Sequence, residues 1–89
     1  MSHIIEGLNE AQPPADPIRV ALSSGRSAAI SFDNTSNAWQ IADGDGTVVA
    51  TLRKGLSGTW HVMGGIHPGY SHNLQTTITE WLNLNDELL

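Results

Sequence analysis

Ala38-Trp39-Gln40-Ile41-Ala42, Asp43-Gly44-Asp45-Gly46-Thr47, Val48-Val49-Ala50-Thr51-Leu52, Arg53-Lys54-Gly55-Leu56-Ser57-Gly58 and Thr59-Trp60-His61-Val62-Met63 form one continuous stretch, residues 38 to 63, that decides the fold. Trp39 and Ile41 alternate with Gln40 and Ala42, the period-two pattern of a half-buried strand. The Asp-Gly-Asp-Gly segment supplies residues that tolerate positive φ, so the chain reverses there. Val48, Ala50 and Leu52 return on one face. A second glycine-bounded reversal leads to Trp60 and Val62, again on one face. Three runs joined by tight turns read as an antiparallel meander.

Working toward the N-terminus, Ile18, Val20 and Leu22 alternate with Arg19 and Ala21. Ser23-Ser24-Gly25-Arg26 forms a turn, and Ala28, Ile30 and Phe32 alternate on the return. Residues 33–37, Asp33-Asn34-Thr35-Ser36-Asn37, read as a polar loop. Pro13, Pro14 and Pro17 mark a stiff extended linker. Before it, residues 2–11 fit a short helix with Ser2 as N-cap and Ile4, Ile5, Leu8 and Ala11 on one face. Its length and Gly7 make it unstable alone. It is either a frayed end or an arm that docks on this domain or on a partner. The expected organisation is an arm and linker over residues 1–16 and one domain over residues 17–89.

Toward the C-terminus, Gly64-Gly65 ends the last strand, and His67-Pro68-Gly69-Tyr70 continues neither element. Ser71 is the expected N-cap of a final helix. Its apolar stripe is Leu74, Ile78, Trp81, Leu82, Leu88 and Leu89, with Leu84 on the flank. Asp86 and Glu87 in the last turn oppose the helix dipole, so this end frays unless a cation meets it. The fold class that follows is α+β: a meander of four to five antiparallel strands, a C-terminal amphipathic helix on one face, and a short N-terminal helix or arm. The expected core sets Trp81, Ile78 and Leu74 against Trp60, Val62, Trp39, Ile41 and the Val48 face. Trp39, Trp60 and Trp81 either meet where helix and sheet join or leave one of their number as an exposed anchor for a partner.

Composition narrows the functions. Eighty-nine residues make one domain, with 39% hydrophobic and only 15% charged residues, against about 25% charged in an average globular domain. The net charge is −5, with Arg19, Arg26, Arg53 and Lys54 as the only Lys or Arg. Nucleic-acid binding draws most of its affinity from phosphate neutralisation, so an acidic chain points away from it. The absence of cysteine removes disulfides, thiolate metal sites and cysteine nucleophiles. With no leader pattern and no apolar run long enough to cross a bilayer, a cytoplasmic location without membrane contact is expected.

The motifs that could carry chemistry fail on spacing. Aligning Gly46 with the glycine of a calcium loop puts Ile41 first and Leu52 last, where oxygen ligands are needed. His61, His67 and His72 could hold zinc only if three separate segments converged. No Gly-x-Ser-x-Gly appears, and no glycine-rich loop opens a helix in the manner of a phosphate site. No catalytic, cofactor-binding or metal-ligating residues are therefore assigned, and no cofactor is expected.

The expected function is a small non-enzymatic protein–protein interaction module, of accessory, adaptor or inhibitor type, such as a phage or mobile element encodes. It binds another protein or itself, as in a homodimer. The expected partner-binding residues are Ile4, Ile5 and Leu8 on the arm and Leu84, Leu88 and Leu89 at the helix end. One alternative is a nucleic-acid-binding or transcription-associated domain that uses the sheet face through Arg26, Arg53, Lys54 and His61. Another is a small metal-dependent enzyme around His61, His67 and His72.

Overall fold

The computed structural model describes residues 5, 7–22, 24–65 and 70–89, and the backbone alone of Tyr70 and Leu88. Ser2, Ile4 and His67 lie outside the described residues. The chain forms β1 (Ile18–Ala21), β2 (Ser27–Asp33), β3 (Ala38–Ala42), β4 (Val48–Lys54) and β5 (Trp60–Met63). A two-residue β6 (Tyr70–Ser71) and the helix α1 (Leu74–Leu84) follow. All strands are antiparallel neighbours in one sheet, in chain order. The five-stranded meander with a C-terminal helix is thus the architecture that the alternation implies.

Register explains the core. Ile30 faces Ile41, Phe32 faces Trp39, Trp39 faces Leu52, and Leu52 faces Val62. These side chains line the inner face, where Ile30, Ile41 and Leu52 have no accessible surface. Phe32 and Trp39 meet edge to face, with ring centroids 5.4 Å apart, the geometry that the ring quadrupoles favour. Trp39, Trp60 and Trp81 are all buried in this one cluster.

One strand departs from the period-two reading. The β3–β4 register shifts between Ile41 and Ala42, so Ile41 faces Ala50 while Ala42 faces Val48. One extra residue on β4 turns Val48 to the outer face, where it is 47% exposed, and Val49 packs against the core instead. The expected placement of Val48 on the inner face is corrected by this bulge.

Asn73, not Ser71, caps α1: its side chain accepts from the Thr76 amide at 3.0 Å. Ser71 is held in β6 opposite Trp60. Leu74, Ile78, Trp81 and Leu82 are buried as the 3.6-residue period requires. The helix stops at Leu84. The backbone amide and Nδ2 of buried Asn85 both donate to the Trp81 carbonyl, at 2.9 and 3.0 Å. A 3-10 turn over Asp86–Leu88 follows. Leu88 and Leu89 therefore lie beyond the helix rather than on its stripe, and Leu89 packs half-buried against the core. The close seat of the helix end depends on Gly65, which has φ +84°; a Cβ there would lie 2.7 Å from Trp81 Cζ2.

The arm packs on its own domain. Ile5 is buried in the core, and Leu8 packs half-buried beside it. Gln75 grips Ile5 twice: the Ile5 amide donates to Oε1 at 2.9 Å, and Nε2 donates to the Ile5 carbonyl at 3.0 Å. Residues 5 and 7–12 are not helical. Gly7 takes φ +83°, which breaks any helix at that point, so this part of the chain is an arm and not the short helix.

Candidate interaction surfaces

The helix end and the β1–β2 turn enclose an open cleft of about 350 Å³ lined by Ser24, Arg26, Asn83, Leu84, Asp86 and Glu87. Ser24 Oγ donates to Asp86 Oδ1 at 2.8 Å, and Arg26 Nη1 donates to the Asp86 carbonyl at 2.9 Å. A cation thus meets a backbone carbonyl just beyond the negative end of α1, while the Asp86 carboxylate is held by the Ser24 hydroxyl. Arg26 acts here as a brace between the first turn and the last residues. Leu84 stands beside the cleft and is 53% exposed.

The expected partner-binding residues separate in space. Ile5 is enclosed by this chain, and Leu8 and Leu89 are half-buried against its core. Ile4 and the side chain of Leu88 lie outside what the structure describes. Among the described residues, Leu84 alone of the six is an exposed apolar side chain.

The four residues of the nucleic-acid alternative also divide. Arg53 and His61 face each other across β4 and β5 on the outer sheet face. Lys54 turns to the other face, bonds Glu10 at 2.9 Å, and places Nζ 5.9 Å from the centre of the Trp60 ring. Arg26 sits at the opposite end of the strands, against Asp86. His72 Nε2 lies 3.3 Å from Thr59 Oγ1, which accepts from Ser57 Oγ at 3.1 Å. Among the described residues no three His, Cys, Asp or Glu side chains gather as metal ligands. The Asp43 carboxylate accepts from the Asp45 and Thr47 amides at 2.9 and 3.0 Å, which closes the β3–β4 turn. The Asp33 carboxyl sits below its ordinary value because it accepts from the Ser36 hydroxyl and the Thr35 amide.

Other exposed features were not singled out from the sequence. Leu56, at the tip of the β4–β5 turn, is fully exposed, and Met63 is 67% exposed on the outer face. Alternation gives Met63 its side of the strand, but nothing in it tells an exposed Leu56 from a turn residue folded back. Trp60 Nε1 is buried without a hydrogen-bond partner. No helix among the described residues is long and apolar enough to cross a membrane. Comparison with models of protein families, with curated proteins and with solved structures finds no match to this chain.

Proposed function

We propose that the chain is a small non-enzymatic interaction module that docks a protein partner at the helix-end cleft. The observation that supports this reading is Leu84, an exposed leucine beside a cleft whose walls are tied by Ser24 and Arg26 to Asp86. A partner side chain that covers Leu84 removes apolar surface from water without reordering the cleft, so little of the binding energy goes into organisation. Accessory, adaptor and inhibitor roles all fit such a surface.

The test is capture of partners from host lysate, with and without nuclease, by the wild type and by Leu84→Asp. A stoichiometric protein that survives nuclease and is lost with Leu84→Asp supports the module, provided the circular dichroism of the variant is unchanged. Retention of that protein by the folded variant removes the cleft from the reading.

A second reading rests on Arg53 and His61, opposed on the outer face of the sheet. A nucleic acid bound there would dissociate steeply with added salt. Salt-insensitive or absent binding of single-stranded and duplex DNA rules it out.

A further inference from the structure

Strand β1 ends the sheet on its side, and among the described residues no segment pairs with its outer edge. The phase of its hydrogen bonds follows from one contact. The Leu22 amide donates to the Arg26 carbonyl at 2.8 Å, so Leu22 and Arg26 form a hydrogen-bonded pair. Such pairs alternate along an antiparallel ladder. Val20–Ala28 and Ile18–Ile30 are then the bonded pairs, and Arg19 and Ala21 turn their N–H and C=O groups outward. The edge therefore offers two donors and two acceptors. On the inner face Ile18, Val20 and Leu22 are only half-buried, so the apolar layer stops unfinished at this edge.

We infer that this edge pairs with the same edge of a second copy, about a two-fold axis at Val20. In that register Arg19 of each copy faces Ala21 of the other, and the two pairs exchange four hydrogen bonds. Neighbouring two-fold registers fail on this sequence. An axis at Arg19 sets two guanidinium groups face to face and opposes Ala21 to Pro17, which has no N–H. An axis at Ala21 sends Arg19 past the strand to residue 23. An axis between residues brings outward-turned groups against inward-turned ones.

The match of the edge to itself favours a second copy: in the Val20 register each outward-turned residue meets an outward-turned residue, and Arg19 of each copy lies over the Ala21 methyl group of the other rather than another cation. The two sheets become one, the closed and self-complementary arrangement of a two-fold dimer. The paired residues, Arg19, Val20 and Ala21, are not among those that line the Leu84 cleft, so the inference does not depend on that cleft.

The chain has no cysteine, so a single introduced thiol reports the register. Non-bonded antiparallel pairs bring Cα atoms to about 4.5 Å, within disulfide reach. Val20→Cys is expected to oxidise to a covalent dimer, while Ala21→Cys, which faces Arg19 of the other copy, stays unlinked. Light scattering of the wild type is expected to give twice the 9.5 kDa of one chain. Ala21→Pro removes only an outward N–H and is expected to return the mass to one chain; Leu84→Asp leaves the dimer intact. A wild type that stays at 9.5 kDa at millimolar concentration, with Val20→Cys linking no faster than Ala21→Cys, overturns the inference. It would make Pro17 and Arg19 the devices that keep the edge single.

Discussion

Trp81 Nε1 donates to the Gly64 carbonyl at 3.1 Å, which ties the middle of α1 to the end of β5. The indole lies so close to the following residue that a side chain there has no room. Gly65→Ala combines a left-handed φ with overpacking against Trp81 and Asn85. The expected cost is about 2–4 kcal/mol, read as a fall in Tm of about 10 °C or more for a chain of this size. Gly46→Ala, with φ +89° but open space around it, is the control and is expected to lose about 1 kcal/mol.

The bulge in β4 separates two adjacent valines. Val48→Asp is expected to change stability by less than about 0.5 kcal/mol, because Val48 is on the outer face. Val49→Asp places a charge against the core and is expected to cost at least about 2 kcal/mol. Urea unfolding of the two variants checks this, and equal effects would contradict the register shift.

Gln75 holds both backbone groups of Ile5. Gln75→Ala leaves them without partners and is expected to cost about 1–3 kcal/mol. The arm is then expected to open locally before the sheet does. Limited proteolysis would show faster cleavage between Ile5 and Ile18, with the rest of the domain still resistant. The exposed Thr76→Ala is the control.

Asp33 gives the pH dependence. Its folded carboxyl lies below the ordinary value of 3.8 because Ser36 and Thr35 donate to the charged form. That contribution is therefore complete above the unfolded value and is lost as pH falls through the lower folded one. Asp33→Asn is expected to be less stable than the wild type at neutral pH, and the gap is expected to close at strongly acid pH. Thermal melts across that range measure it.

The strands and the core were legible because alternation is set by burial on one face, and Trp39, Ile41, Leu52, Trp60 and Val62 obey it without exception. The swap at Val48 and Val49 was not, because a bulge is decided by the partner strand. Ser71 was a plausible cap by composition, and its loss to β6 depends on pairing with Trp60, which no local pattern carries. Among the candidate partner-binding residues, the exposure of Leu84 could be read from its place on the helix flank. Arg26 was assigned to the nucleic-acid alternative, whereas its guanidinium bonds the Asp86 carbonyl, far along the chain. Arg53 and Lys54 looked like one patch, but adjacent strand residues point to opposite faces.

The bonds from Ser24 and Arg26 to Asp86 span 62 and 60 residues, whereas every strand pairs with its neighbour in sequence. The order of folding during synthesis follows from that contrast. Hairpins close over short loops and need nothing downstream. The apolar face they create stays uncovered until α1 leaves the ribosome, and the first hairpin is fastened only when Asp86 arrives. The earliest part of the sheet to form is thus the last to be secured, and that interval is when a nascent chain is most exposed to aggregation or to a chaperone.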